Sequence, residues 1–364
     1  MRRAFDLARR GLEGVSPNPL VGAVIVRSGK IIAEGFHRRC GGAHAEIEAL
    51  RRAGAAARGA DLYVTLEPCG HHGRTPPCSD AILAAGVRRV VYAATDPNPA
   101  TRGVGPRSLR RSGIEVSGGL EREEARRQNA PYFLWREEGR PWVVLKWAMT
   151  LDGKIATRAG EAKWITGEKA RAHAHALRRR VDAICIGRET ARLDDPSLAA
   201  RPARGRHPFR VVLDRRARLP LSLRLLAEPR GGDGAGQTIY VTSRGAPAAR
   251  LRRLEEAGAR IALCRTRRGG GFDLDDLLAR LARLEVSQLL VEGGGATAGS
   301  FLDAGLVDEV AAFIAPRLLG GAGARPAIGG AGIAALAETP WLRDAKLRRV
   351  GEDFLVTGRV ARGR

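Results

Sequence analysis

The sequence predicts an α/β protein built from two domains, and three observations carry this. Short β-branched apolar runs alternate with helix-patterned segments through both halves, which calls for mixed or parallel sheets covered on both faces. The 364-residue length suits two domains of ordinary size. The polar run "REEGRP" at 136–141 interrupts the alternation, and the boundary is placed there, giving domains 1–138 and 139–364. Apolar residues make up 44% and aromatic residues 5%, so the cores must be aliphatic.

The first stretch, "MRRAFDLARRGLEGV", puts Phe5, Ala8 and Leu12 at helical spacing. It is basic but has no apolar signal core, and Asp6 and Glu13 argue against a transit peptide. It reads as the first helix of the fold. "LVGAVIVRSGKIIAEGFH" is a hairpin turning at Ser28-Gly29-Lys30. "HAEIEALRRAGAAARG" is a helix ending at Gly59, "DLYVTLEP" a strand, and "SDAILAAG" a short helix with Gly86 beyond its end. "VRRVVYAATD", "GIEVSG" and "EREEARRQNAPYFLW" continue the pattern. Past the boundary, "WVVLKWAMT" is a strand, "EKARAHAHALRRRV" a helix and "DAICIG" a strand. "FRVVLD", "TIYVTS", "ARIALC", "SQLLVEGG" and "EVAAFIAP" are later strands. The halves do not repeat each other, and "EPRGGDGAGQ" and "RTRRGGG" read as surface loops.

No run approaches 18 uninterrupted apolar residues, so no transmembrane helix is expected. The five cysteines, Cys40, Cys69, Cys78, Cys185 and Cys264, are too few and scattered for a disulfide framework. A reducing cytoplasm is the expected compartment. The formal net charge of +23 raises nucleic acid as a partner. That charge is nearly all arginine, spread over the whole length. Compositional bias plus an anionic small substrate accounts for it better than a dedicated nucleic-acid surface.

"EPCGHHGRTPPC" sets Cys69 and Cys78 nine positions apart, too wide for a C-x-x-C knuckle. A metal here needs a distant ligand, and "GAHAEIEAL" offers one: His44 and Glu46 open a helix. In mid-helix, positions two apart face nearly opposite ways, at about 100° per residue. In the first turn both can reach a point beyond the N-terminus. Cys69 ends a strand, and Cys78 begins a helix whose dipole favours a thiolate. Either His-x-Glu or Pro68-Cys69 alone is commonplace; the combination in this order points to zinc. Three protein ligands leave a fourth position for water, the mark of a catalytic site. Zinc lowers the pKa of that water to about 7, and Glu46 can take its proton and pass it to a leaving amine.

This constellation resembles the zinc deaminase signature H-x-E…P-C…C, whose glutamate is an acid/base and not a ligand. Nucleic-acid and cytidine deaminases usually have two residues between the cysteines; here there are eight. With "PNPLVGAVIV" upstream and "DPNP" downstream, the first half resembles the deaminase half of the bifunctional riboflavin-biosynthesis deaminase/reductase family. The resemblance implies that Asn18, His71, Arg74 and Thr75 line the substrate pocket, while His72 reads as a solvated loop residue. Two departures stand out. Gly70 occupies a position where the family usually has serine. "DPNPATRGVG" differs from the usual P-x-V-A-G-R-G form, with Val104 near the expected basic position and Arg102 as its expected replacement.

The second half lacks a G-x-G-x-x-G fingerprint but has "LLVEGGGATAGSFL", a strand, glycine-rich turn and helix suited to a pyrophosphate. "KWAMTLDGKIAT", "WITG", "RETARLDDPSLAAR" and "VVLD" resemble the reductase half of the same family, which implies NADPH. By that resemblance Ala148, Trp164, Thr190, Asp194 and the run Gly294, Gly295, Ala296, Thr297, Ala298, Gly299 and Ser300 contact NADPH, with Arg218 beside them. Ala162, Arg178, Leu198, Arg201 and Glu292 contact substrate. Trp164 can equally be read as a core anchor. Ala162 stands where serine is common, and Ala199 replaces a frequent threonine.

The resemblance implies a cytidine-deaminase-like three-layer domain followed by a dihydrofolate-reductase-like α/β domain. It implies hydrolytic deamination of 2,5-diamino-6-ribosylamino-4(3H)-pyrimidinone 5′-phosphate. NADPH-dependent reduction of the ribosyl chain then gives 5-amino-6-(5-phosphoribitylamino)uracil. The expected cofactors are one Zn2+ per chain and NADPH. The expected partner is the small pyrimidine ribosyl phosphate, with no specific nucleic acid and no membrane, in a homo-oligomer. No protein acid for the hydride step is evident. The alternatives are a nucleic-acid-editing zinc deaminase with an accessory domain, and an active deaminase with a degenerate reductase half.

Overall fold

The structure is a computed structural model that describes residues 1–71, 76–201, 207–227 and 236–361. The chain divides into two compact units, Met1–Gly139 and Arg140–Arg364.

The N-terminal unit runs α1 (Arg2–Ala8), β1 (Gly22–Arg27), β2 (Lys30–Phe36), α2 (Ala45–Ala53), β3 (Asp61–Leu66), α3 (Cys78–Ala84), β4 (Arg89–Ala94), α4 (Val104–Arg111), β5 (Glu115–Gly118), α5 (Arg122–Gln128) and α6 (Ala130–Glu138). Its sheet order is β2-β1-β3-β4-β5. β1 is antiparallel to both neighbours, whereas β3, β4 and β5 run parallel. The β1–β2 turn has φ 50° at Ser28 and φ 75° at Gly29; two successive positive values match the right-handed twist of the flanking strands. Successive strand side chains point to opposite faces. Ile25, Leu62, Val64 and Val90 pack on Ala49, Ile82 and Leu109 of α2, α3 and α4, while Val24 and Phe36 pack on Ala4 and Leu7 of α1.

One helix differs from expectation. The helix after His44 ends at Ala53, because Gly54 turns to φ 53° and a 3-10 turn carries the chain to Ala57. The stretch at 121–135 forms two helices, α5 and α6. The break is Asn129, 3% exposed, whose side chain accepts from Leu20 N (2.7 Å) and donates to Leu20 O (2.9 Å). An amide committed to both backbone groups of a distant residue fixes that corner.

The C-terminal unit runs β6 (Trp142–Thr150), β7 (Lys154–Ala156), α7 (Glu168–Arg178), β8 (Ala183–Gly187), α8 (Arg188–Asp194), β9 (Phe209–Leu213), α9 (Arg224–Ala227), β10 (Thr238–Thr242), α10 (Ala248–Glu256), β11 (Arg260–Leu263), α11 (Leu274–Arg283), β12 (Gln288–Val291), α12 (Gly295–Asp303), β13 (Glu309–Ala315), β14 (Arg325–Pro326), β15 (Leu342–Val350) and β16 (Asp353–Val360). Nine strands form one sheet, β11-β10-β9-β8-β12-β6-β13-β16-β15, and β7 pairs with β14. The strands are parallel as far as β13; β16 and β15 close the edge as an antiparallel hairpin.

The strand period sorts its core onto two faces. Val143, Leu145, Cys185, Val211 and Val241 meet α11 leucines and Phe301 of α12. Val144, Ile184, Ile186, Val212 and Tyr240 meet Leu225, Leu226 and Leu254. α11 begins at Asp273, whose carboxylate caps it by accepting from Asp276 N at 3.1 Å. Both units are therefore mixed sheets with helices on both faces.

Candidate functional site

His44 is the N-cap of α2, with extended backbone. Cys69 follows the end of β3, and Cys78 is the first residue of α3. Their ligand atoms lie within 4.8 Å of one another. His44 Nδ1 is 3.1 Å from the Cys78 sulfur and 3.6 Å from the Cys69 sulfur. The Cys78 amide donates to the Cys69 sulfur at 3.3 Å. One nitrogen and two sulfurs converging on a point is a donor set that suits zinc, and three protein ligands leave an open position. The hydrogen bond from Cys78 is the main cause that holds Cys69 well below the usual thiol range. The same bond, with burial, holds Cys78 high.

Glu46, 3% exposed, lies in the first turn of α2. Burial pushes its carboxyl above the usual range, against the pull of His44. A buried carboxyl beside an open metal position is equipped to accept and return a proton.

Asn18 reaches this site through a residue the sequence reading missed. His37, 3% exposed, donates from Nδ1 to Ala43 O at 3.0 Å. Its Nε2 therefore accepts from Asn18 Nδ2, also at 3.0 Å. The His37 ring stands edge-on to His44, centroids 5.3 Å apart. Its only sequence signal was a histidine at the end of β2, which reads as a strand terminus.

His71 is exposed at the edge of the described chain; Arg74, Thr75 and His72 lie outside the described residues. Gly70 has a local reason to lack a side chain: a Cβ there would stand 2.5 Å from Gly105 N. Gly105 in turn has Pro68 O 1.9 Å from where its own Cβ would be. Thus the start of α4 lies directly on the Pro68–Gly70 backbone. Glu67 assists, accepting from Gly103 N at 2.6 Å. Arg102 is exposed on that loop.

In the C-terminal unit, a cavity of about 520 Å³ is lined by Ala148, Trp164, Thr190, Asp194 and Gly294, and also by Ala162, Arg178, Leu198, Arg201 and Glu292. The substrate set implied by the resemblance and part of the cofactor set thus line one space. Trp164 is 65% exposed, with the Arg171 guanidinium 4.6 Å from its ring, so it is no core anchor. Thr190 Oγ1 accepts from Gly294 N at 3.0 Å, tying α8 to the turn before α12. Lys146 and His175 line the same cavity and were not singled out from the sequence. Lys146 sits inside a strand pattern, and His175 inside a helix pattern.

Ala296, Thr297, Ser300 and Arg218 line a second cavity of about 610 Å³. Gly294 lines the first cavity, whereas Gly295, Ala298 and Gly299 face protein. Ala298 is 1% exposed within the core. A Cβ on Gly299 would stand 2.2 Å from Gly329 O, and one on Gly295 would stand 2.7 Å from Pro326 O. These glycines allow the 326–330 segment to approach the helix.

The comparisons agree with this division. Residues 1–94 match the cytidine and deoxycytidylate deaminase zinc-binding region, and residues 141–356 match the RibD C-terminal domain. The riboflavin biosynthesis protein RibD of Aquifex aeolicus is 42% identical over 98% of this chain and 96% of its own. That of Escherichia coli is 39% identical, over 97% and 96%. Among solved structures, Acinetobacter baumannii RibD superposes with TM-score 0.88 at 35% identity, covering 99% of this chain and 98% of that one. The diaminohydroxyphosphoribosylaminopyrimidine deaminase/5-amino-6-(5-phosphoribosylamino)uracil reductase of Thermotoga maritima superposes with TM-score 0.84 at 36% identity, covering 99% and 97%.

Proposed function

This chain belongs to the RibD family of riboflavin-biosynthesis proteins, and on that premise we propose that its two units act in turn on one small pyrimidine ribosyl phosphate. It is a bifunctional enzyme, a deaminase and a reductase, with a cytidine-deaminase-like unit followed by a RibD-type reductase unit. The nucleic-acid-editing alternative explains the charge but not the match of the second half.

The substrate of the first unit is 2,5-diamino-6-ribosylamino-4(3H)-pyrimidinone 5′-phosphate. A zinc ion held by His44, Cys69 and Cys78 would supply an activated water. Glu46 accepts the proton of the attacking water and returns it to the departing amine, so that ammonia leaves neutral. Asn18, fixed by His37, and His71, Arg74 and Thr75 hold the pyrimidine and its phosphate.

In the second unit NADPH supplies a hydride. Trp164, Ala148, Thr190, Asp194 and the Gly294–Ser300 turn hold the cofactor. Arg178, Leu198, Arg201, Ala162 and Glu292 hold the substrate. Arg178 and Arg201 suit its phosphate, since guanidinium pairs with phosphate oxygens two at a time.

The observation that carries this reading is the convergence of His44, Cys69 and Cys78 beside a buried Glu46. The test is purified protein with the diaminopyrimidinone phosphate, with and without NADPH, following ammonia and NADPH oxidation separately. Ammonia in both conditions and NADPH oxidation after deamination are expected. Ammonia without any NADPH oxidation would leave the degenerate-reductase alternative standing.

None of the five cysteines forms a disulfide, in keeping with a reducing cytoplasm, and no described helix is long and apolar enough to cross a membrane. A homo-oligomer is supported by exposed apolar side chains of the second unit, Leu336, Trp341 and Leu347, and is checked by sedimentation.

A further inference from the structure

We infer that Arg171 is a positioning residue of the reductase half: it holds the Trp164 indole as a platform on which the flat ring of a ligand stacks. The inference rests on the reading of the second unit as an NADPH-dependent reductase and adds the residue that sets the attitude of Trp164.

Trp164 and Arg171 line the same cavity of about 520 Å³, together with Lys146, Arg178 and Glu292. Trp164 is 65% exposed, so a large apolar ring stands open in a concave wall. Such surface marks a place where a ligand lies. One face of the ring is taken. The Arg171 guanidinium lies over it, 4.6 Å from the centroid, inside the range of a cation–π contact. Among the described residues no other ring or cation lies against the indole, so its opposite face is free to stack. Flat heteroaromatic rings pack on an indole in this way. On the present reading the cavity receives two of them, one on the cofactor and one the pyrimidine of the substrate.

The backbone under the ring is pinned from three elements. Trp164 O accepts from Arg317 Nη1 at 3.2 Å, in the segment after β13. Thr166 O accepts from Arg171 Nη1 at 2.7 Å, in α7. Gly167 N donates to Asp353 Oδ2 at 2.8 Å, at the start of β16. A fixed backbone still leaves an exposed side chain its choice of rotamers. The contact from Arg171 removes that choice.

Arginine suits this double task. Its hydrogen bonds lie in the plane of the guanidinium, and stacking is perpendicular to that plane. Arg171 therefore holds the Thr166 carbonyl with its edge and the indole with its face. Lysine could serve one of the two but not both. Among the described residues no carboxylate pairs with Arg171. Arg178, two turns further along α7, is the contrast: two of its nitrogens are committed to Glu292.

The test is titration calorimetry on the full-length protein with two probes, NADPH and 5-amino-6-(5-phosphoribitylamino)uracil. Trp164→Ala should weaken one probe by at least about 5-fold and leave the other within about twofold. Loss for NADPH assigns the platform to the cofactor, and loss for the uracil assigns it to the pyrimidine. Arg171→Ala should weaken that same probe by at least about 5-fold. Added to Trp164→Ala, it should change the affinity by less than about twofold, because Arg171 acts through the ring. Arg171→Lys keeps the charge without the plane and should stay closer to Arg171→Ala than to wild type; it carries the test should Arg171→Ala melt early. Full recovery with lysine, or a further loss in the Trp164→Ala background, would show Arg171 acting on the ligand by charge and overturns the inference. Unchanged binding of both probes to Trp164→Ala overturns it as well. Wild type binding neither probe would instead bring down the reductase reading, and the inference with it.

Discussion

Arg178 and Glu292 stand 114 positions apart and meet in a two-pronged ion pair, Nε to Oε1 at 2.9 Å and Nη2 to Oε2 at 2.7 Å. Lys146 Nζ approaches the same carboxylate at 3.8 Å. The pair joins the end of α7 to the end of β12 and forms one wall of the cavity assigned to substrate. Burial alone would raise the Glu292 carboxyl. Arg178 and then Lys146 outweigh it and hold the group down at about 2.

This sets an acid dependence. The folded pKa lies below the unfolded value of about 4.3. The pair's contribution is therefore present above that pH and fades as pH falls toward 2, amounting to on the order of 3 kcal/mol at neutrality. Glu292→Gln should lower the denaturant midpoint of the C-terminal unit at pH 7, and the deficit should shrink by pH 3. A deficit of the same size at both pH values would count against the pair.

The metal centre makes a compositional prediction. Cys78 is fully buried at the start of α3, and its loss leaves two ligands. Metal analysis of Cys78→Ala should find zinc absent or sharply reduced, against about one per chain in the wild type. Full occupancy in the variant would exclude Cys78 as a ligand.

Glu46→Gln separates metal binding from catalysis. Glutamine is nearly isosteric and cannot accept the proton, so zinc content should be retained. Ammonia release should fall by at least about 10²-fold, the lower end of what general acid–base catalysis supplies. Near-normal ammonia release would refute the role. The reductase should still oxidise NADPH when given predeaminated substrate.

Gly70→Ser tests the close approach of the start of α4 to the Pro68–Gly70 backbone. The new Cβ would meet Gly105 N at 2.5 Å and Gly105 Cα at 2.8 Å. The start of α4 would have to shift, at about 1–3 kcal/mol. A lower melting temperature of the N-terminal unit is expected; an unchanged one would mean that the 103–105 backbone yields freely.

Much of the fold was legible because the period of the apolar residues states which face is covered. Val143, Val144 and Leu145 sort onto opposite cores by the strand period alone. The Ser28-Gly29 hairpin follows from turn chemistry. β15 escaped for the same reason in reverse: "LRDAKLRRV" is exposed along nearly its whole length, so it has no buried face to mark. α4 was hidden by Gly105 and Pro106 within its first turn, although proline is tolerated there.

By itself the sequence determined the two alternating α/β halves, the convergence of His44, Cys69 and Cys78, and the role open to Glu46. Each depends on residue type at the end of a locally encoded element. Only the tertiary structure decided the rest. It tied Asn18 to His44 through His37, brought Lys146 and His175 to the Arg178–Glu292 pair, and committed Asp214 to the amides of Arg218 and Leu219 and Asp303 to those of Ala331 and Gly332. It also left Arg215 and Arg216 without a carboxylate among the described residues. The physical reason is that a charge count is additive along a chain, whereas neutralisation is not. Whether a guanidinium is satisfied or waits for a ligand depends on which carboxylates the fold delivers within about 4 Å of it, where Coulomb attraction and hydrogen bonding become appreciable.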